Sequence, residues 1–299
     1  MLFTLFGDYV RHYGGTIWIG SLIALMAELG FSAPAVRAAV SRMARQGWLA
    51  PVRSGRASYY ALTPRGEARI NEAARRIFKL RAERWDGLWR FVILPAVADR
   101  GDRAVLRREL EWMGFAAVAR GVYVTPNDLL ESLPALAERH GLTGPWEMFS
   151  ARLTGTADAA GFAARHWDLP AIGAAYAAFA DEWRPRLAAW RTPRQAGGGG
   201  NDAARLAFRE KTRLVHEFRK FLFMDPGLPV EVLPERWPGA EARGVFSGTY
   251  HLLAEPALAF FEARFRPAPG REGDVPEGRR QARRDPFRTG TSAATLADG

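Results

Sequence analysis

Glycine and proline divide the first 66 residues into short pieces, and this punctuation constrains the fold more than any other feature of the chain. The breaks fall at Gly14-Gly15, Gly30, Gly47, Ser54-Gly55, and Pro64 with Gly66. Residues 3–12 read as a short helix. Residues 20–29 place Leu22, Ile23, Leu25, Met26 and Leu29 on a helical stripe. After a two-residue turn, Ser32 is suited to cap a third helix. Pro34 then falls in its first turn, where a missing N–H is harmless. That helix runs to about Gln46 and stops at Gly47. Strands over 48–53 and 56–62 flank Ser54-Gly55, a pair suited to a tight hairpin turn. Three helices followed by a hairpin predict a winged helix-turn-helix over residues 1–66.

The charge points to a partner for this unit. Residues 1–84 hold 13 Lys/Arg against 5 Asp/Glu, so most of the formal net charge of +10 lies in the first quarter of the chain. A basic excess this local is the footprint of a module that faces phosphates. A solvated basic face would account for the charge alone. The third helix adds geometry. At about 100° per residue, Val36, Val40 and Met43 form a buried edge, with Arg37, Ala38, Ser41, Arg42 and Arg45 on the opposite face. Ala38 and Ser41 are small enough to permit close approach. The arginines suit guanine edges or phosphates, as a recognition helix in a major groove requires. Arg53 and Arg56 flank the hairpin turn, where a wing meets phosphate or the minor groove.

The rest of the chain extends this to an α+β multidomain protein. Residues 67–84 read as a connector helix, with Ile70, Ala73, Ala74, Ile77 and Leu80 at helical spacing. Residues 85–155 read as strand (88–94), helix (102–114), strands (115–119 and 122–125), helix (127–140) and strand (146–153). This βαββαβ order predicts a ferredoxin-like middle domain. Residues 160–266 read as a helical domain with helices over 169–190 and 202–223 and a last helix ending near 265. A glycine run at 197–200 marks a flexible link within it, and a proline-studded loop spans 225–238. The tail, 267–299, is rich in Gly, Pro, Arg and small polar residues, and disorder is expected there.

Several classes are disfavoured. The chain has no cysteine, which excludes disulfides, thiolate metal sites and a cysteine nucleophile. Asp8 interrupts the apolar first ten residues and no leader pattern follows. The apolar run 16–27 is shorter than the roughly 18 residues of a membrane span, so a soluble cytoplasmic protein with no membrane partner is expected. His12, His140, His166, His216 and His251 lack metal-ligand spacing. No nucleophile elbow, phosphate loop or dinucleotide fingerprint is present, so neither a cofactor nor a catalytic residue is expected.

Longer stretches carry a resemblance. Leu5-Phe6-Gly7-Asp8-Tyr9, Gly15-Thr16-Ile17-Trp18-Ile19-Gly20-Ser21-Leu22-Ile23 and Val36-Arg37-Ala38-Ala39-Val40-Ser41-Arg42-Met43 resemble the PaaX family of transcriptional regulators. So do Gly47-Trp48-Leu49, Gly55-Arg56-Ala57-Ser58-Tyr59-Tyr60-Ala61-Leu62-Thr63, Gly87-Leu88-Trp89-Arg90 and Leu110-Glu111-Trp112-Met113-Gly114-Phe115. Arg219-Lys220-Phe221-Leu222, Asp225-Pro226 and Trp237-Pro238-Gly239 continue it. The resemblance implies a homodimeric repressor of phenylacetate-degradation genes that binds double-stranded operator DNA. It also implies a Cas2-like middle domain for dimerisation and a C-terminal domain that binds an aryl-acyl-CoA effector such as phenylacetyl-CoA, which releases the operator.

For that effector, Arg213, Arg219 and Lys220 are candidates for the phosphates, and Trp167, Tyr176, Trp183 and Trp237 for an acyl pocket. The same aromatics at helical spacing equally suit a core, and Arg219 equally suits an ion pair with Asp225. Two other functions stay open: an acyl-CoA-acting enzyme or nuclease with a DNA-binding appendage, and a ligand-free architectural DNA-binding protein. A nuclease of the Cas2 kind needs an acidic metal ligand at the end of the first strand. Trp89-Arg90-Phe91-Val92-Ile93-Leu94-Pro95 offers none.

Overall fold

The computed structural model describes residues 1–78, 84–94, 100–139, 146–155, 158–192, 200–270 and 286–287. The chain divides into two compact units, and neither is continuous in sequence. The first comprises Met1–Leu80, Ala180–Arg219 and Arg243–Gly299; the second comprises Arg81–Phe179 and Lys220–Ala242.

The first unit opens with α1 (Leu2–Asp8). The helix expected over 3–12 breaks at Tyr9 and resumes as a 3-10 turn, Val10–Tyr13. Gly14 and Gly15, with φ of 78° and 70°, then turn the chain into β1 (Thr16–Trp18). Three residues are too few to show a two-residue period, so this strand was hidden within an apolar run. Next come α2 (Ile19–Glu28), α3 (Ala33–Arg45) and a hairpin of β2 (Leu49–Ser54) and β3 (Ala57–Leu62). β3 is the middle strand of an antiparallel sheet, with Val52 and Trp18 both opposite Tyr59. α4 (Pro64–Phe78) follows, three residues earlier than the expected connector; 79–83 lie outside the described residues.

Residues 1–66 do not close this core by themselves. Leu5, Phe6, Tyr9, Leu22, Leu25, Val36 and Val40 share it with Ala207 and Phe208 of α9 (Asn201–Phe218). Leu253, Ala257, Phe260 and Phe261 of α11 (Gly239–Arg264) complete it. Tyr9 stacks on Phe261 at 4.9 Å and packs against Phe208 at 5.4 Å. A charge lies within this apolar contact. Lys211 is fully buried and its ammonium is ion-paired with Asp8, itself buried. The Lys211 Nζ lies 4.1 Å from the Tyr250 ring centre and 4.6 Å from that of Tyr9. The Tyr250 hydroxyl donates to Asp8 at 2.8 Å.

The second unit carries β4 (Trp89–Ile93), α5 (Arg100–Trp112), β5 (Ala116–Ala119), β6 (Val122–Thr125), α6 (Leu133–Arg139) and β7 (Glu147–Ala151). Its antiparallel sheet has the order β5-β6-β4-β7, which with βαββαβ succession is the ferredoxin-like arrangement. Strand alternation sends Val92 and Tyr123 to one core with Leu106, Leu110, Phe115, Leu133 and Leu136. Trp89 and Val124 face the other way. They meet Ala163 of α7 (Ala159–His166), Trp167, Leu169 of α8 (Leu169–Arg191), Leu228 and Val232. α7 was not expected; the Asp158 carboxylate caps it by accepting the Gly161 N–H at 2.5 Å. The helix expected from Asn127 begins only at Leu133, after a 3-10 turn. Asn127 instead donates its amide to the Pro226 carbonyl at 2.8 Å. The helix expected over 202–223 is likewise cut, into α9 and α10 (Phe221–Met224).

The segment expected as a helical domain, 160–266, contributes to both compact units. α7, the first part of α8 and residues 220–242 belong to the second unit, whereas α9 and most of α11 belong to the first. The buried stripe of α9, including Phe208, Lys211, Leu214 and Phe218, explains this: it finds its cover on α1 and α11. Of the glycine run, 197–199 lie outside the described residues. The tail departs from expected disorder at two points. Ala268 is buried, its N–H donating to the Tyr59 hydroxyl at 3.0 Å, and Phe287 is buried as well. Each is an apolar side chain that finds cover; 271–285 and 288–299 lie outside the described residues. No described helix is long and apolar enough to cross a membrane.

Taking away one partner of a buried pair strands the other, so Lys211→Met is expected to cost about 3–5 kcal/mol in urea unfolding. The double variant Lys211→Met with Asp8→Asn, which leaves no buried charge, is expected to recover most of that loss.

Candidate nucleic-acid interface

α3 is held at both ends by side chains close to it in sequence. The Ser32 hydroxyl accepts the Ala35 N–H at 3.4 Å, and Pro34 lies in the first turn. At the other end, Thr63 acts as a knot. Its hydroxyl donates to the Gly47 carbonyl at 2.7 Å and accepts the Gly66 N–H at 3.0 Å. This joins the end of α3, the base of the hairpin and the start of α4 at one point. A Cβ at Gly66 would strike the Trp48 carbonyl oxygen, so only glycine allows this approach. Arg65 lies over the Trp48 ring at 4.4 Å and donates to the Gln46 carbonyl at 3.4 Å. Sequence reading did not single out Thr63 or Arg65. Thr63 directly before Pro64 was the available signal, since threonine followed by proline marks a helix N-terminus.

The two faces of α3 separate as the helical wheel requires. Val36, Val40 and Met43 are buried, while Arg37, Ala38, Ser41, Arg42 and Arg45 are exposed. Arg53 and Arg56 are exposed on either side of the Ser54-Gly55 turn, with Val52 beside them at 43% exposure. Some arginines elsewhere in the chain are occupied: Arg186 by Glu210, Arg213 by Glu217 and Glu182, Arg90 by Asp86. Arg37, Arg42, Arg45, Arg53 and Arg56 form no ion pair among the described residues. They have no carboxylate to give up when an external anion arrives.

The effector candidates are distributed over both compact units. Trp183, Arg213 and Arg219 fall in the first unit, and Trp167, Tyr176, Lys220 and Trp237 in the second. Trp183 is buried, and its indole N–H donates to Glu217 at 2.8 Å. Arg213 sits in a surface pair with that glutamate, which raises its pKa chiefly through the hydrogen bond. Trp167 stacks on Trp89 at 5.9 Å within the core of its unit. Tyr176 is buried, stacks on Phe221 at 3.9 Å and donates to Asp225 at 2.5 Å. Trp237 flanks that tyrosine at 6.1 Å, and Lys220 is exposed above Phe221. Helical spacing thus produced core contacts for Trp167, Tyr176 and Trp183. The expected pair of Arg219 with Asp225 is corrected, since Tyr176 and the Gly227 N–H hold Asp225.

Arg219 has a different neighbourhood. Its guanidinium donates to the Thr4 hydroxyl at 3.0 Å, and burial lowers its pKa. The same hydroxyl meets His216 Nδ1 at 3.2 Å. Burial first, then the charges of the Met1 amino group and Arg219, push His216 down to about 4, against a weaker upward pull from Glu217. Among the described residues, no group of three or more His, Asp or Glu side chains is placed to hold a metal ion.

Comparison with known proteins matches three family models in succession. They are described as PaaX-like protein over residues 1–66, PaaX protein central Cas2-like domain over 82–163, and PaaX-like protein C-terminal domain over 167–263. The chain is also 32% identical over 279 residues to the Transcriptional repressor PaaX of Escherichia coli (strain K12), covering 90% of this chain and 86% of that one. The chain belongs to the PaaX family. An uncharacterized protein of solved structure from Mycobacterium tuberculosis aligns with 26% identity and a TM-score of 0.49, covering 82% of this chain and 89% of that one. The segment matched by the PaaX C-terminal model, 167–263, contributes to both compact units.

The His216 environment sets an acid limit on stability. Its ordinary value is 6.5 and its folded value about 4, so between these the unfolded chain binds more protons. The stabilising contribution is full above 6.5 and is lost as pH falls towards 4. His216→Gln is expected to flatten the fall in melting temperature across that window.

Proposed function

We propose that this chain is a homodimeric, sequence-specific transcriptional repressor whose residues 1–66 form a winged helix-turn-helix. One observation carries the reading. α3 buries Val36, Val40 and Met43 and exposes Arg37, Ser41, Arg42 and Arg45, with Arg53 and Arg56 at the neighbouring hairpin tip. The relative in Escherichia coli, named as a transcriptional repressor, supports it. In this reading α3 enters the major groove of double-stranded operator DNA. Arg37, Arg42 and Arg45 supply guanine or phosphate contacts, Ser41 and Ala38 leave room for the backbone to approach, and the hairpin reaches the flanking phosphates.

The central Cas2-like domain serves as the dimerisation scaffold. β7 is an edge strand with all five residues exposed, among them Met148 at 39% and Phe149 at 50%. An uncovered edge of this kind favours pairing with a second copy. The effector is an aryl-acyl-CoA such as phenylacetyl-CoA, and the genes controlled serve aromatic-acid catabolism in the cytoplasm. Because α9 and α11 share a core with α1–α3, a ligand-induced shift of these helices would be felt by the DNA-reading face.

Fluorescence anisotropy on DNA from the gene's own upstream region tests both parts. At fixed salt, Arg37→Ala with Arg42→Ala is expected to lower specific affinity by at least about 2 kcal/mol; unchanged affinity would overturn the assignment of α3. Release by an aryl-acetyl-CoA but not by free CoA is expected. A specific complex that no CoA ester disturbs would discard the effector while leaving the DNA-binding reading in place.

A further inference from the structure

Arg219, directly after α9, departs from the rule that a charge taken out of water is paired. It is half-buried, and burial lowers its pKa with no acid raising it. A guanidinium carries several N–H donors in a fixed plane. Among the described residues, the Thr4 hydroxyl alone accepts from Arg219, at 3.0 Å, and no carboxylate pairs with it. Thr4 is buried, and its hydroxyl also meets His216 Nδ1 at 3.2 Å. In the tautomer that takes this hydroxyl at Nδ1, the imidazole presents its Nε2–H as a further donor. The Met1 amino group adds another nitrogen. Burial first, then the charge of Arg219, lowers its pKa to about 6, and its own charge acts on His216. Glu217, the acid that pulls on His216, has its two oxygens engaged by the Arg213 Nε and the Trp183 indole. The remaining donors of Arg219 and His216 keep contact with solvent, unlike the sealed indole N–H groups of Trp89 and Trp167.

We infer that Arg219, His216 and Thr4 form a recessed binding site for the terminal phosphoryl group of a small ligand. The cluster is rich in donors and its acceptors are already engaged, so the chemistry that complements it is that of an oxyanion. A phosphoryl group brings negative charge and several strong acceptor oxygens, which suit a guanidinium with N–H groups to offer. Depth separates this site from the DNA-reading face. Arg37, Arg42, Arg45, Arg53 and Arg56 are exposed, as contacts to a rigid duplex require. Arg219 and His216 are half-buried and Thr4 is buried, which suits the narrow end of a phosphate monoester. Identifying that ligand with the acyl-CoA effector, whose CoA moiety carries a phosphate monoester, rests on the function proposed above.

The site adjoins the base of the hairpin. The Arg219 guanidinium lies 6.0 Å from the Phe3 ring centre, and Phe3 meets Trp48 edge-on at 5.6 Å. Trp48 carries Arg65 over its ring, and its carbonyl accepts the Thr63 N–H at 3.2 Å. A guanidinium drawn towards an oxyanion changes its contacts with Phe3 and Thr4, both on α1. The change then reaches Trp48, between α3 and β2, entirely within the first unit.

The test titrates the full chain with inorganic phosphate at constant ionic strength and follows its histidine Cε1–H groups by NMR, with His216→Gln assigning the signal. The His216 signal is expected to move saturably with phosphate and to stay in place with chloride. Arg219→Gln is expected to weaken this binding at least about tenfold, and Thr4→Ala to weaken it in the same direction. A signal that phosphate leaves in place, or that moves equally in both variants and the unaltered chain, overturns the site. Competition by CoA but not by dephospho-CoA is expected; competition by neither removes CoA as the ligand and leaves the phosphate site. A random-sequence duplex that displaces phosphate would overturn the small-ligand assignment in favour of a DNA phosphate. Operator release by a CoA ester that Arg219→Gln leaves unchanged would overturn this site as the effector's and leave the proposed function standing. Arg219-dependent phosphate binding, with no CoA ester releasing the operator, would keep the site and remove that effector.

Discussion

The ion pair of Asp8 with Lys211 lies where the first and last thirds of the chain meet. Two charges in an apolar core are tolerated only when each satisfies the other and the remaining lone pairs find donors. Here Tyr250 supplies the extra donor, and the rings of Tyr9 and Tyr250 face the ammonium. The arrangement is directional in a way that hydrophobic contact is not. α1 can pack on α9 and α11 only in the register that brings all three residues together. The aromatic contacts of Tyr9 with Phe208 and Phe261 supply area around this point, and the pair supplies its alignment.

Dependence on that alignment spreads outward. α1, α2 and α3 share a single core with α9 and α11, so the helix carrying Arg37, Arg42 and Arg45 rests on C-terminal elements. Any displacement of α9 or α11 is therefore transmitted to α1–α3 through shared side chains. Thr63 does the corresponding work on the other side of α3 by tying its end to the hairpin and to α4. The proposed operator contacts are thereby mounted on a face whose orientation is set from both ends.

Much of this was legible in the residues. Ser32, Pro34 and Gly47 marked the ends of α3, and its two faces followed from the helical period alone. The βαββαβ succession could be read because its strands alternate and its glycines fall at turns. β1 could not, because three residues carry no period and the strand exists only through pairing with β3. Asp8 read as an interruption of an apolar stretch, and nothing local announced that Lys211 would neutralise it 203 residues away. The aromatic residues chosen for an effector pocket were chosen by spacing, and spacing does not distinguish a lining residue from a core residue.

The sequence by itself determined most of the elements, the basic exposed face of α3 and the family, since each is written in neighbouring residues and short periods. Only the tertiary structure decided which elements share a core. It divided the C-terminal helices between two units, buried Lys211 against Asp8, and seated Phe287 among Phe78, Phe246, Tyr250 and His251. The physical reason is that burial and pairing are properties of surfaces brought together from distant parts of the chain. An amphipathic helix states that it needs a partner without stating which one.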